Sequence, residues 1–315
     1  MKITLHLGAH RTASTSLQHY MRHNVAALAE AGIGFWGPRR TRSGLLSGVL
    51  PMAGRHSAHV QLERARGRVL INLEAAARSG CDTLVVSDEN MLGATRRNLR
   101  EHSLYGDAGL RLARFAQAFD GRVDRVVLSL RAQDQYWSSA LAFAVARGHR
   151  LPQGRDLEAL AGGARAWRDV VSDVACAFGG AEILVLTHEA LASRPEARLA
   201  VMTARPIEAM PRAHAREWLN RAPLLGALRA AVTARGGAPA RLGEGTDCAR
   251  WQPFDRVQAA ALRETYADDL HWLRAGADGL ATLIEETGPA KAEAHPSAGQ
   301  MTRGQRNGTQ ERRMA

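Results

Sequence analysis

Cysteine and aromatic residues are scarce in this chain of 315 residues. The three cysteines, Cys81, Cys176 and Cys248, have neither metal-ligand nor redox spacing, so we predict reduced thiols in a cytoplasmic protein. Aromatic residues make up only 5% of the chain, and no basic stretch interleaves them, which argues against a nucleic-acid partner. The sequence also lacks a secretion signal and any run of about 18 apolar residues, so no membrane span is predicted.

Positive charge, by contrast, is abundant. The formal net charge is +11, and arginine supplies nearly all of it. Because a guanidinium forms paired hydrogen bonds with phosphate, sulfate or carboxylate, an anionic cofactor or an acidic glycan is a candidate partner. A solvated arginine-rich surface without any partner explains the composition equally well, so charge alone leaves both interpretations open.

Short apolar runs alternate with helical patterns over the first two thirds of the chain. Four runs have the length and composition of buried strands: residues 3–7, Thr83–Ser87, Arg125–Leu130 and Glu182–Thr187. Each precedes a helix-like segment, most clearly Gln133–Ala146 after the third run. Strands that alternate with helices predict an α/β fold, with a mainly parallel sheet between two layers of helices.

The rest of the chain completes the predicted organisation. The last third is helical in pattern, most clearly between Pro253 and Gly276. One face of that segment carries its apolar residues: Phe254, Val257, Leu262, Tyr266, Leu270 and Leu273. Residues 37–60 are rich in Gly, Pro and Ser and predict a long irregular insertion. We predict one α/β domain over residues 1–287 and a disordered tail over 288–315, where large apolar residues almost vanish.

The segment GAHRTAST, residues 8–15, follows the first predicted strand and has the length and placement of a phosphate-binding loop. In a nucleotide-hydrolysing loop, G-x-x-x-x-G-K-[ST], the lysine reaches the phosphates and the last hydroxyl holds Mg²⁺. Ser14 stands in place of that lysine, so we predict an anion site without a metal, held by backbone N–H groups and hydroxyls. The residues of this site are Thr12, Ala13, Ser14, Thr15 and Ser16. A hydroxyl-rich helix start with an incidental Arg11 is the alternative.

A second anion site is predicted at the end of the third strand. Arg131 follows that strand, and Ser139 lies eight residues later on the first turns of the next helix. Ligands of open α/β sheets bind at the carboxyl ends of strands, so these side chains are placed to hold a second phosphate. A 5′-phosphosulfate fits the first site, because it carries less charge than a triphosphate and needs no metal. Arg11 is placed to stabilise the leaving phosphate.

These motifs together resemble the sulfotransferase family, whose members use 3′-phosphoadenosine 5′-phosphosulfate. LHLGAHRTASTSLQ is similar to the family's 5′-phosphosulfate loop, which in many bacterial members reads close to G-x-H-K-T-G-T-T-S-L-Q. VVLSLRAQDQYWSSA is similar to its 3′-phosphate segment, and LRETYADDLHWL to a C-terminal helix of bacterial members. The resemblance implies a P-loop nucleotide-kinase-like fold, no metal, and binding of the co-substrate by Arg11, by residues 12–16, and by Arg131 with Ser139.

The chain departs from the family pattern at two positions of the loop. Arg11 stands where lysine is usual. The positive charge is kept, but a planar guanidinium with several N–H donors replaces a compact ammonium group. Ala13 stands where glycine is usual, which restricts the backbone torsions and the close approach of a phosphate. Neither departure removes the predicted binding site.

Transfer of a sulfuryl group to a hydroxyl or an amine needs a base near the acceptor. The family places a histidine or a glutamate just after the strand between the two motifs, where this chain reads SDEN, residues 87–90. We predict Glu89 as the general base, with Asp88 second and His10 as a weaker candidate. A carboxylate suits this role if burial or a neighbouring like charge raises its pKa.

The acceptor is predicted only by class, as a small molecule or a glycan. Arginines near the predicted loop and base are candidates to line a site for an anionic acceptor, although solvated faces explain such clusters as well: Arg39, Arg40, Arg42, Arg96, Arg97 and Arg100. The stretch LVVSDE is also how an ATPase presents a Mg²⁺ carboxylate and a water-activating glutamate. A P-loop ATPase or kinase, and a non-catalytic arginine-rich anion-binding protein, therefore stay as alternatives.

Overall fold

A single sheet organises the molecule, for which a computed structural model describes residues 1–54 and 56–285. The strands are β1 (Lys2–Gly8), β2 (Ile33–Trp36), β3 (Thr83–Ser87), β4 (Arg125–Leu130), β5 (Glu182–Thr187) and β6 (Thr282–Ile284). All neighbouring pairs are parallel, in the order β2-β3-β1-β4-β5-β6. The predicted α/β fold with a parallel sheet is confirmed. The predicted tail over 288–315 lies outside the described residues.

Helices connect and cover these strands. They are α1 (Ser14–His23), α2 (Val25–Glu30), α3 (Pro38–Arg40), α4 (Ala58–Arg78), α5 (Thr95–Glu101), α6 (Ala108–Ala118), α7 (Gln133–Ala146), α8 (Gly154–Ala161), α9 (Trp167–Ala177), α10 (His188–Leu191), α11 (Pro195–Thr203), α12 (Leu225–Thr233) and α13 (Arg256–Arg274). A short 3₁₀ turn, Glu89–Met91, follows β3. In the described part of the chain, no helix combines the length and apolar character needed to cross a membrane.

Two apolar cores lie on opposite faces of the sheet, because successive side chains of a strand point to opposite sides. In β4, Val126 and Leu128 belong to the larger core, which α4, α6, α7, α9 and α13 cover. Val127, between them, belongs to the smaller core, which α1, α2 and α11 cover. Helices on both faces make the three-layer arrangement, and they leave the strand ends as the place where loops can form a site.

The four predicted strands are present, and the first is one residue longer at each end than predicted. The predicted helix Gln133–Ala146 has the same bounds in the structure. The sequence analysis did not predict β2 or β6. Each is very short, with four and three residues, so neither carries enough of a pattern to be recognised, and pairing with β3 and β5 defines them.

Other local differences follow from packing. The apolar pattern after the loop is divided into α1 and α2 at Asn24, whose side-chain amide donates to the carbonyls of Tyr20 and Ala213, each at 2.9 Å. The predicted insertion over 37–60 is not wholly irregular, because it contains α3 and the start of α4. Val257, predicted on the apolar face of the C-terminal helix, is 78% exposed, because the buried stripe of α13 begins at Leu262.

Candidate functional site

A cleft of about 420 Å³ opens where the carboxyl ends of β1, β3, β4 and β5 meet. The loop between β1 and α1 forms its floor, and Glu89, Arg131 and His188 enter it from the ends of the other strands. Residues 218–222, which precede α12, line it from the opposite side. This volume lies within the range of small-molecule sites, roughly 300–1,000 Å³.

The loop's hydroxyl groups are divided between shaping the loop and facing the cleft. Thr12 is buried, and its hydroxyl donates to the carbonyl of Ala9 at 2.7 Å, as that of Ser14 does at 3.1 Å. Ser16 is also buried and accepts a hydrogen bond from the backbone N–H of Leu219 at 2.9 Å. Of the predicted anion-site residues in the loop, Ala13, Ser14 and Thr15 line the cleft, together with Arg11. Thr12 and Ser16 hold the loop in place.

Arg11 lies at the centre of the cleft, half-buried. Its Nε donates to the hydroxyl of Ser139 at 3.0 Å, and its Nη2 donates to the carbonyl of Asn220 at 3.1 Å. Burial, with a smaller contribution from the neighbouring Arg131, lowers the pKa of Arg11 to about 10. The side chain therefore stays cationic at neutral pH, although it is largely removed from water.

Arg131 contacts the loop directly. Its Nη1 donates to the carbonyl of Arg11 at 2.9 Å, and burial lowers its pKa to about 10, so it too is cationic at neutral pH. The indole of Trp167 donates to the carbonyl of Arg131 at 2.8 Å, which fixes the end of β4. The Nε of Arg131 is buried without a hydrogen-bond partner among the described residues. The Nη2 of Arg131 makes no hydrogen bond within the described residues and is not sealed from solvent, so it is the N–H group that can contact an anion in the cleft.

The structure thus brings the two predicted anion sites together. Arg11 and Arg131 are 120 residues apart in the chain, and they meet through one hydrogen bond. Ser139, from the second site, bonds to Arg11 of the first. Comparisons of the chain with family models, characterised proteins and solved structures find no match. What the cleft binds must be inferred from its own side chains. The guanidinium groups of Arg11, half-buried, and Arg131, buried, favour a ligand with more than one negative charge.

A buried arginine supports the loop from below. Arg198 of α11 is 1% exposed and donates through Nη1 to the carbonyls of Thr12 and Ala13, at 3.2 and 3.4 Å. Its Nη2 contacts His6 Nε2 and donates to Ser129, each at 3.1 Å. The sequence analysis missed this residue. The one available signal was His6, a polar residue inside the apolar run of β1.

Glu89 lines the cleft beside the loop, as predicted for a base. Its carboxylate accepts from Gln18 at 2.8 Å and from Arg42 at 3.0 Å. Burial alone raises the pKa of Glu89, but His10, the Gln18 hydrogen bond and Arg42 together outweigh it, and the net pKa is below its ordinary value. Gly8 makes the close approach of this residue possible: it adopts φ 87°, and a Cβ there would come within 2.8 Å of Glu89 Cβ.

The condition for a carboxylate base, a raised pKa, is therefore not met at Glu89. The physical reason is that His10, the Gln18 hydrogen bond and Arg42 together outweigh the loss of water around the carboxylate. The pKa of His10 is also lowered, first by burial, so His10 is mainly neutral at neutral pH. Glu89, whose pKa lies below its ordinary value, is ionised at neutral pH. In this state Glu89 can accept a proton, although with a smaller driving force than a carboxylate whose pKa is raised.

The side chains of the other two candidate bases, Asp88 and His10, are already hydrogen-bonded to neighbouring residues. Both oxygens of Asp88 are engaged: Thr41 donates to Oδ2 at 2.5 Å, and Arg42 donates to both oxygens. His10 lines the cleft, but Nδ1 is 3.0 Å from the hydroxyl of Tyr105 and Nε2 is 3.2 Å from Oδ1 of Asn90. Glu89 lines the cleft, and its carboxylate accepts hydrogen bonds from two side chains, Gln18 and Arg42. It is therefore the candidate that we retain as the base.

Of the predicted arginine clusters, only Arg96 lines the cleft. Arg42 pairs with Asp88 and Glu89, and Arg40 lies 4.8 Å above the ring of Trp36. Arg97 pairs with Glu101 and Asp107. Trp218, Arg221 and Arg250 also line the cleft and were missed, because they lie in segments without a strand or helix pattern.

Ala13 adopts a left-handed backbone conformation, with φ 63° and ψ 25°, just before α1. A residue with a Cβ pays roughly 1–2 kcal/mol for this conformation, whereas glycine adopts it freely, at the cost of more freedom in the unfolded chain. We therefore expect Ala13→Gly to raise the free energy of unfolding by about 1 kcal/mol, measured by urea denaturation. Ala260→Gly, on the exposed side of α13, is the control and should lower it by about 1 kcal/mol. A loss of stability in Ala13→Gly would contradict the assigned conformation.

Proposed function

We propose that this protein is a sulfotransferase, which transfers the sulfuryl group of 3′-phosphoadenosine 5′-phosphosulfate to a hydroxyl or an amine of a small-molecule or glycan acceptor. The observation that carries the proposal is the hydrogen bond between Arg131 and the Arg11 carbonyl. It supports a single nucleotide site. The 3′- and 5′-phosphates of such a donor are attached to the same ribose, so the groups that bind them must lie close together. A P-loop type of fold belongs to the same proposal.

The roles of the residues follow from their positions. The loop residues Ala13, Ser14 and Thr15 bind the 5′-phosphosulfate at the start of α1, where backbone N–H groups favour anions. Arg131 and Ser139 bind the 3′-phosphate. Arg11 contacts Ser139 and extends into the same cleft, so its charge can act on the 5′-phosphate as that group leaves.

In the proposed reaction, the acceptor oxygen or nitrogen attacks the sulfur in line with the bridging oxygen. A new bond to sulfur forms while the bond between sulfur and the bridging oxygen breaks, and its electron pair goes to the 5′-phosphate. The acceptor's proton passes to the ionised carboxylate of Glu89. Arg42, which contacts Glu89, compensates the charge of the carboxylate before that transfer.

A Mg²⁺-dependent ATPase or kinase has less support from the same cleft. The carboxylate that would hold the metal is Asp88, which is buried and already engaged by Thr41 and Arg42. The loop also carries Ser14 where the phosphate-binding lysine would be. A non-catalytic anion-binding protein differs from a sulfotransferase in the ligands that it prefers, and the experiment below compares those ligands.

A thermal-shift panel on the full chain tests the proposal. We expect 3′,5′-bisphosphoadenosine without Mg²⁺ to raise the Tm, since a ligand of the folded state at a hundredfold excess over Kd stabilises it by about 2.7 kcal/mol. ATP with Mg²⁺ should give a much smaller shift. A larger shift with ATP and Mg²⁺ would favour the ATPase or kinase. A shift with heparin alone, lost at high salt, would favour the non-catalytic protein.

A further inference from the structure

A cluster of three histidines lies outside the cleft, where the segment before α12 contacts α1. Within residues 1–54 and 56–285, His19, His23 and His214 form the one group of side chains with the spacing of a metal site: each offers one ligand atom, and these atoms lie within 4.8 Å of one another. His19 and His23 are four residues apart in a helix, so they share one face. His214 comes from the segment before α12, and its ring centroid lies 4.9 Å from that of His23, with the two rings tilted by 38°.

A carboxylate orients two of the three imidazoles. Glu217 accepts from His19 Nε2 at 2.5 Å and from His214 Nδ1 at 2.6 Å, one oxygen to each. Histidines that bind a metal commonly have such a partner, because it fixes the tautomer and the orientation of the ring. Arg22 opposes the site: its Nη2 is 3.1 Å from His19 Nδ1, and its charge repels a cation.

We propose that His19, His23 and His214 bind a divalent transition-metal ion, of which Zn²⁺ is the expected one, with Glu217 as the orienting carboxylate. Imidazole nitrogens suit this class of metal, and three of them leave a fourth position for water. The site is separate from sulfuryl transfer, and it does not depend on the proposed function.

The metal would act on the segment that lines the cleft. Residues 211–222 join His214 and Glu217 to Trp218 and Asn220, and the carbonyl of Asn220 accepts from Arg11. The segment is already attached to α1 by Leu219 at Ser16 and by Ala213 at Asn24. A metal held by His19, His23 and His214 adds a further attachment between the segment and α1. We therefore expect metal binding to hold residues 211–222 in place.

Calorimetric titration with ZnCl₂ tests the site, on full-length protein without a polyhistidine tag and stripped of metal. We expect about one equivalent of Zn²⁺ to bind per chain, and His23→Ala to weaken the affinity at least ~10-fold. His23 is exposed, so its removal should not unfold the protein. His271→Ala, an exposed histidine of α13, is the matched control and should bind as the wild type does. Equal affinity in the His23 and His271 variants, or no binding by the wild type, would overturn the proposal.

Limited trypsin digestion tests the effect on the segment, which contains Arg212, Arg216 and Arg221 as exposed cleavage sites. Zn²⁺ should slow cleavage at these arginines in the wild type and in His271→Ala, and it should have no such effect in His23→Ala. The His271 variant also controls for any action of Zn²⁺ on trypsin itself. Calorimetric binding without protection would refute the attachment of residues 211–222.

Discussion

Glu89→Gln is expected to lower turnover by roughly 10²–10⁴-fold and to change donor affinity little, because it removes the proton acceptor and keeps the shape of the side chain. A glutamine can still accept one of the hydrogen bonds that Gln18 and Arg42 donate to Glu89. The measurement is release of 3′,5′-bisphosphoadenosine from the sulfated donor. The acceptor is one that the wild type uses in a panel of glycans, phenols and amines. Donor affinity is measured separately by calorimetry.

Glu101→Gln is the control for this prediction, since Glu101 is an exposed carboxylate of α5 that pairs with Arg97 outside the cleft. Its turnover should equal that of the wild type. Turnover at the wild-type level in Glu89→Gln would show that another group takes the proton. The pH profile adds a second check. Because the pKa of Glu89 lies below its ordinary value of 4.5, the carboxylate is ionised at every pH above it. Turnover should not fall as the pH is lowered from 8 to 6.

Arg131→Ala is expected to remove most of the preference for 3′,5′-bisphosphoadenosine over adenosine 5′-monophosphate, a loss of roughly 10- to 100-fold in relative affinity. A charged hydrogen bond to a phosphate contributes about 1.5–3 kcal/mol, and each 1.4 kcal/mol is a factor of ten. The Nη2 of Arg131, which makes no hydrogen bond within the described residues, is the donor expected to make it. Calorimetric titration with the two nucleotides measures the preference directly.

Arg125→Ala is the matched control, because Arg125 lies at the opposite end of β4 and pairs with Glu182. It should leave the preference unchanged even if it lowers stability. Arg131→Lys keeps the charge without the planar fork, so we expect it to retain part of the preference. If Arg131→Ala kept the full preference while the protein stayed folded, the 3′-phosphate would have to bind elsewhere in the cleft.

The elements that the sequence predicted share one property, namely a pattern that repeats within a single segment. β3, β4, β5 and α7 carry enough apolar residues at strand or helix spacing to be recognised alone. The missed strands, β2 and β6, are too short for such a pattern. They form because each pairs with the free edge of a longer strand, β3 or β5. Asn24 ends α1 through contacts with a residue 189 positions away, which no local pattern contains.

The candidate site likewise has residues that the sequence predicted and features that depend on contacts between distant segments. Arg131 was predicted because it ends an apolar strand, and ligands of parallel sheets bind at such strand ends. Arg11 was predicted from the loop pattern that follows β1, and Glu89 from the resemblance to the sulfotransferase family. The lowered pKa of Glu89 was not predictable, because it depends on His10, Gln18 and Arg42, all of which lie tens of residues away in the chain. Arg198 was missed for the same reason: its partners are Thr12, Ala13 and two strand residues, and none of them is near it in sequence.

By itself, the sequence determined the parallel α/β architecture, the position of the loop between β1 and α1 and the strand-end residues, because apolar periodicity and turn chemistry are local. Only the tertiary structure decided which groups meet. It joined Arg131 to the loop at Arg11, engaged Asp88 with Thr41 and Arg42, and placed His214 beside the two histidines of α1. The physical reason is that these contacts link residues tens to hundreds of positions apart, and their distances are set by how helices pack on the sheet.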